Sequence, residues 1–137
     1  MIKVIHSADL HLSGGEDREY GLAVLRELVG HANKEQADFL LFCGDLFDSF
    51  KDLRGPTLLD AARIELQMLR AKCRALYIPG NHEALGMGKS DKLSNFNFGR
   101  LELCADPASP FGGKIIDAGE AEFVCVPHAA DYSSYRK

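Results

Sequence analysis

The sequence predicts an α/β fold that begins with a parallel β-α-β-α-β unit. Three strand-like apolar runs, Ile2 to His6, Asp38 to Cys43 and Ala75 to Ile78, are separated by two segments with helical spacing. The middle run is continuously apolar, which is typical of a central parallel strand covered on both faces. Strands that alternate with helices in this order form right-handed parallel sheets.

Each of the two connecting segments has one apolar stripe. The first helix is predicted from Tyr20 to Glu35, and the second is predicted to start at Thr57, whose hydroxyl can cap a helix, and to continue to Leu69. The stripes, at spacings of three and four residues, consist of Leu22, Leu25, Leu28, Val29 and Ala32 in the first helix, and of Leu58, Leu59, Ala62, Leu66 and Leu69 in the second.

The second half of the chain has a looser pattern, and we expect residues 1–137 to form one domain. The segment from Ala84 to Gly99 is rich in Gly, Ser, Asn and Lys, which predicts a long surface loop or a short irregular helix. Further strands are predicted at Leu101 to Cys104, Lys114 to Ile116 and Glu122 to Val126, with turns at Gly112-Gly113 and Ala118-Gly119.

The composition is that of a soluble globular protein, with 46% apolar and 26% charged residues. No apolar run is long enough for a membrane span and no signal peptide is evident, so we expect a cytoplasmic protein without a membrane partner. The four cysteines are scattered without a C-x-x-C pair, which favours buried thiols over a thiolate metal site. A net charge of −4 argues against a broad basic surface for nucleic acid, although bound cations would offset clustered acidic residues.

Polar motifs follow the three predicted parallel strands directly. In an open parallel sheet the carboxyl ends of the strands share one edge, and ligands bind in the crevice there. The three motifs are therefore expected to converge in space. They contain Asp9 and His11 after the first strand, Asp45 and Asp48 after the second, and Asn81, His82 and Glu83 after the third.

The residue types in these motifs suit a divalent metal ion. Asp9 and His11 flank one residue, so in an extended segment both side chains would point to the same face. Gly44 permits a tight turn before Asp45, whose carboxylate is able to bridge two cations. Asn81 offers a neutral carbonyl oxygen. Such mixed oxygen and imidazole ligands suit manganese, iron or zinc better than calcium.

The series D-x-H, G-D-x-x-D and G-N-H-E resembles the motif series of the calcineurin-like metallophosphoesterases, from residue 1 to about residue 130. The segments from Ser7 to Leu12 and from Gly44 to Asp48 look like the SbcD-type DNA-repair exonuclease branch. The G-D-x-H-G and G-D-x-x-D-R-G motifs of protein Ser/Thr phosphatases do not occur. Glu83, however, is more typical of those phosphatases. The resemblance implies the parallel start of a metallophosphoesterase sandwich.

The resemblance also implies metal ligands and partners. Asp9 and His11 would bind a first ion, Asp45 would bind both ions, and Asn81 would bind the second. The two divalent ions would be manganese, with iron and zinc as alternatives. DNA as substrate, a homodimer and an SbcC-type ATPase partner are implied by the resemblance alone.

Three further residues receive roles from the same resemblance. His82 would face the scissile phosphate and assist the departure of the leaving oxygen. Glu83 would orient His82, as carboxylates beside functional histidines commonly do. Asp48 would support the site by holding its loop.

The family completes its site with later histidines, including a G-H-x-H motif. After Glu83 this sequence has one histidine, His128, and no G-H-x-H. We expect His128 to be a surface or hydrogen-bonded residue, the second metal position to be incomplete and metal retention to be weak. These features predict an apparently truncated, N-terminal portion of the enzyme.

Three functions stay open at this point. The first is metal-dependent phosphodiester hydrolysis by an SbcD-like DNA exonuclease, in which the full-length enzyme would be active. The second is a phosphatase or small-molecule phosphodiesterase of the same superfamily. The third is an inactive fragment or a metal-poor interaction module.

Overall fold

A computed structural model of the chain describes residues 1–13, 15–48, 67, 70–84, 101–105 and 113–128. These residues form a parallel sheet with one long helix and a separate antiparallel hairpin. The elements in chain order are β1 (Val4–Ser7), α1 (Arg18–Lys34), β2 (Phe39–Cys43), β3 (Arg74–Ile78), α2 (Asn81–Ala84), β4 (Leu101–Leu103), β5 (Lys114–Asp117) and β6 (Glu122–Cys125).

The main sheet has the strand order β1-β2-β3-β4, and every neighbouring pair is parallel. The predicted α/β class with a parallel start is therefore confirmed, and β4 extends the sheet by one strand. Ser7 at the end of β1 pairs with Phe42, and Cys43 at the end of β2 pairs with Ile78. The first three strands thus end side by side, at the edge where their polar motifs begin.

Alternate side chains of β2 enter two different hydrophobic clusters. Leu40 and Phe42 pack in one cluster with α1 residues, whereas Phe39 and Leu41 pack in a second cluster with residues of the hairpin. Because β2 is covered on both faces, each of its residues is buried or partly buried, which accounts for the continuous apolar run. The α1 residues in the first cluster are Leu22, Leu25, Val29 and Ala32.

The first predicted helix is confirmed, with α1 running from Arg18 to Lys34. The second, from Thr57 to Leu69, lies outside the described residues apart from Gln67, which is helical. The predicted loop beyond Ala84 also lies outside them. Among the described residues, no helix is long and apolar enough to cross a membrane.

The hairpin of β5 and β6 is antiparallel and turns at the predicted Ala118-Gly119. Gly119 adopts a positive φ of 81°, and its N–H donates to the Asp117 carboxylate at 2.7 Å. Glu102 on β4 connects the hairpin to the main sheet, because it accepts from Arg74 at 2.8 Å and from Lys114 at 3.0 Å.

Candidate metal centre at the edge of the parallel sheet

The first two motifs are held against each other by backbone hydrogen bonds that continue beyond β1 and β2. The N–H of Asp9 donates to the carbonyl of Gly44 at 3.1 Å, and the N–H of His11 donates to that of Asp45 at 2.9 Å. The pairing continues as far as Asp48. The register between the two motifs is therefore set by the main chain.

The sequence predicted an extended backbone at Asp9 and His11, but the backbone of these residues is not extended. Asp9 has a φ of 55° and His11 one of 46°, so both lie in the left-handed region, as do Gly44 (93°) and Asp45 (46°). The prediction that spacing in an extended segment aligns Asp9 with His11 is wrong in its geometry. A left-handed conformation costs a non-glycine residue about 1–2 kcal/mol. The hydrogen bonds between the motifs offset that cost.

The third motif approaches the second through α2. The buried Asp45 carboxylate, from a residue only 5% exposed, accepts the backbone N–H of His82 through Oδ1 at 3.0 Å. The N–H of Gly44 also donates to the carbonyl of Ile78 at 2.8 Å. Asp45 consequently lies between the other two motifs, as the sequence predicted.

Asp9, His11 and Asp45 form a group with one potential metal-ligand atom each, and these atoms lie within 4.8 Å of one another. Two carboxylates and one imidazole suit a divalent ion such as manganese, iron or zinc. The donor set therefore fits the metal that the motifs imply. Asn81, the first residue of α2, is exposed and lies in the chain between Gly80 and His82, both of which are close to Asp45.

Asp48 lies between the two site histidines. Its Oδ1 is 3.3 Å from Nδ1 of His11 and 3.9 Å from Nδ1 of His82. Nδ1 of His82 is also 2.9 Å from the Asp48 carbonyl oxygen, and the two imidazole rings meet edge to face at 4.9 Å. The sequence predicted a supporting Asp48 but not its contact with His11, because spacing alone does not show which loop side chains meet.

Two other residues named from the sequence stand apart from these contacts. The backbone of Glu83 belongs to α2, but its side chain lies outside the described residues, so its role in orienting His82 stays a prediction. The exposed His128 donates its N–H to the carbonyl of Pro79 at 3.3 Å. Among the described residues, the groups able to hold a metal do not include His128.

The four cysteines are free thiols, of which Cys104 and Cys125 are buried and Cys43 and Cys73 are partly buried. Burial raises the pKa of Cys104 to about 12, with a smaller contribution from the neighbouring Cys125, and burial also raises the pKa of Cys43 and of Cys73. A raised pKa disfavours the thiolate that binds metals. Within the described part of the chain, no cysteine belongs to a group able to hold a metal.

The family model for calcineurin-like phosphoesterases matches residues 2–134, and the chain belongs to that family of metal-dependent hydrolases. A curated relative, the SbcD subunit of the SbcCD nuclease of Staphylococcus epidermidis, is 32% identical over 89 residues, which cover 60% of this chain and 23% of the relative. The predicted resemblance to SbcD-type metallophosphoesterases is thus confirmed.

A solved structure, that of Pseudomonas putida nuclease MPE, has a similar fold. It matches with a TM-score of 0.50 and 21% sequence identity over 77% of this chain and 49% of that chain. The chain therefore spans less than a quarter of the curated relative and about half of the solved structure. The likeness confirms the fold expected for the start of a metallophosphoesterase.

Proposed function

We propose that this chain forms the N-terminal metal-binding part of a metal-dependent phosphodiesterase whose substrate is DNA. The observation that carries the proposal is the convergence of Asp9, His11 and Asp45, three residues from two separate motifs, within 4.8 Å. Membership of the phosphoesterase family supports hydrolysis of phosphate esters, and the similarity to a component of the SbcCD nuclease supports a nucleic-acid substrate.

Asp9, His11 and Asp45 would hold the first ion, and Asp45 and Asn81 would contribute to the second. Bound divalent ions supply a Lewis acid for a phosphate oxygen and lower the pKa of bound water. We propose manganese as the working metal, with iron and zinc as alternatives, because the donors mix oxygen with imidazole. Among the described residues we assign two protein ligands to the second ion, so we propose that this position is incomplete.

Asp45 has the spare capacity that a shared ligand needs. The N–H of His82 occupies one acceptor site on Oδ1, and a carboxylate offers about four lone-pair sites on its two oxygens. The carboxylate therefore keeps free lone pairs on both oxygens. The burial of Asp45 and the hydrogen bond from His82 fix the orientation of the carboxylate. The side chain therefore loses less conformational entropy when it binds a metal ion.

His82 is placed to exchange a proton with a substrate. When Nδ1 of His82 donates to the Asp48 carbonyl oxygen at 2.9 Å, Nε2 is the ring nitrogen that remains available for proton transfer. The His82 side chain is 44% exposed, so a substrate can reach it. We assign it the role of facing the scissile phosphate and protonating the departing sugar oxygen, with Asp48 as a positioning residue and Glu83 as a further contributor.

The substrate test compares linear duplex DNA with a small chromogenic phosphodiester, using the longest natural protein that contains this sequence. We expect manganese-dependent DNA degradation that is lost in His82→Ala and retained in His31→Ala, a control on the exposed surface of α1. Cleavage of the chromogenic ester alone would overturn the nuclease proposal. It would favour the alternative of a phosphatase or small-molecule phosphodiesterase, and the net charge of −4 and Glu83 also argue against a nuclease.

The 137-residue chain by itself is expected to show no hydrolysis above background, because we propose that its second metal position is incomplete. A homodimer and an SbcC-type ATPase partner are further proposals that rest on the SbcD-type relative. Co-purification of the natural protein with an ATPase of that type would support the proposed ATPase partner. A monomer in size-exclusion chromatography of the natural protein would contradict the proposed homodimer.

A further inference from the structure

Two groups of possible metal ligands share His11. The first, the acidic group, consists of Asp9, His11 and Asp45; the second, the imidazole group, consists of His11, Asp48 and His82. In each group the candidate ligand atoms lie within 4.8 Å of one another. The proposed phosphodiesterase uses the acidic group for metal and His82 for proton transfer, which leaves the metal-binding capacity of the imidazole group unused.

The imidazole group has the spacing of a tetrahedral metal site. Oδ1 of Asp48 is 3.3 Å from Nδ1 of His11 and 3.9 Å from Nδ1 of His82. An ion with bonds of about 2.1 Å holds tetrahedral ligands about 3.4 Å apart. The three side chains are between 38% and 48% exposed, so an ion from solution can enter. Nδ1 of His82 also lies 2.9 Å from the carbonyl oxygen of Asp48, so it must leave that contact to bind the ion.

His11 is able to serve only one of the two groups at a time. A neutral imidazole has one nitrogen with a free lone pair, while the other nitrogen carries a proton. When His11 binds an ion of the acidic group, its remaining N–H donates to a neighbouring acceptor, as metal-binding histidines usually do. The 3.3 Å contact with Asp48 matches that state. When Nδ1 of His11 binds an ion together with Asp48, the acidic group loses its imidazole.

We propose that the imidazole group is a separate zinc site that competes with the acidic group for His11. Two imidazoles and one carboxylate favour Zn²⁺ over a harder ion such as Mn²⁺, whereas two carboxylates and one imidazole accept either ion. Zinc bound there also occupies His82. Zinc at this site would inhibit hydrolysis, because it occupies His11 and His82. This inhibition rests on the proposed function, whereas the binding itself rests on the geometry of His11, Asp48 and His82.

The test titrates Zn²⁺ and, separately, Mn²⁺ into the 137-residue chain by calorimetry. His82→Ala is expected to weaken zinc binding about tenfold or more and to leave manganese binding within about twofold. Asp9→Asn is expected to show the reverse effects: manganese binding weakens about tenfold or more and zinc binding stays within about twofold. His31→Ala removes an exposed histidine of α1 and is expected to change neither affinity.

Unchanged zinc affinity in His82→Ala, or zinc affinity lost in Asp9→Asn alone, would overturn the proposal. Circular dichroism checks that each variant is folded. If His82→Ala does not fold, ¹⁵N NMR of the wild-type imidazoles decides: zinc must shift the ring nitrogens of His11 and His82 together. A zinc-induced shift of His11 without one of His82 would also overturn it. Because the readout is binding, failure here is distinguishable from failure of the phosphodiesterase proposal.

Discussion

Gly80 packs directly against Asp45, and this close approach brings the third motif onto the second. A Cβ atom at position 80 would lie 2.5 Å from the backbone nitrogen of Asp45 and 2.7 Å from its Cγ. Real Cβ atoms essentially never approach within 3.0 Å of another heavy atom. The site therefore requires glycine at this position for space, independently of any φ requirement.

Gly80→Ala is predicted to destabilise the protein by about 1–3 kcal/mol, because the extra methyl group forces the two motifs apart. Manganese affinity should fall as well, since Asp45 moves. Gly30→Ala is the matched control: nothing lies within 4 Å of that Cβ, and alanine within α1 should stabilise by about 0.5–1 kcal/mol. Urea unfolding measures the free energy of unfolding of both variants. Equal stability of wild type and Gly80→Ala would contradict the packing.

Asp45→Asn separates metal binding from folding. The asparagine carbonyl oxygen can still accept the His82 N–H, which Asp45 accepts at 3.0 Å, but it lacks the charge that attracts a cation. We expect a folded variant without manganese binding. Asp45→Ala also leaves the buried N–H without its acceptor and should cost a further 1–3 kcal/mol or so. Calorimetry and urea unfolding are the measurements, and wild-type manganese affinity in Asp45→Asn would exclude Asp45 as a ligand.

Glu102 should contribute pH-dependent stability. Hydrogen bonds from Arg74 and, to a smaller extent, Lys114 lower the pKa of its carboxyl. Its contribution is therefore complete above the pKa of unfolded glutamate and is lost as the pH falls through the lower pKa of the folded state. Because the side chain is 34% exposed, Glu102→Gln should cost only about 0.5–1 kcal/mol at pH 7. Thermal unfolding of wild type and Glu102→Gln at pH 7 and pH 3 tests this prediction. An equal difference in Tm between the two proteins at both pH values would contradict it.

Cys104 is predicted to resist alkylation in the native protein. Its side chain is buried and its pKa is raised to about 12, so almost no thiolate is present at pH 8. Iodoacetamide followed by mass spectrometry should label the half-buried Cys73 before Cys104, and should label both rapidly in urea. Rapid labelling of Cys104 in the folded chain would show that the cluster between sheet and hairpin opens readily.

The sequence predicted the parallel start of the sheet because apolar runs and polar motifs are local signals. The ends of strands depend on partners far along the chain and were less predictable. For example, β2 begins at Phe39 and not at Asp38, whose carboxylate accepts the N–H of Lys3 at 2.8 Å. Similarly, β1 begins at Val4 and not at Ile2.

The site was predictable as a convergence of motifs but not in its contacts. The left-handed backbone at Asp9 and His11 depends on bonds to Gly44 and Asp45, more than thirty residues away. No local pattern encodes those bonds. The contact between Asp48 and His11 likewise depends on how two loops are paired, which spacing within either loop does not reveal.

The most direct test of the central claim, that Asp9, His11 and Asp45 bind a divalent ion, is a calorimetric titration of Mn²⁺ into the 137-residue chain. We expect one weak site that disappears in Asp9→Asn and persists in His31→Ala. Two tight sites, or one site with unchanged affinity in Asp9→Asn, would contradict the account.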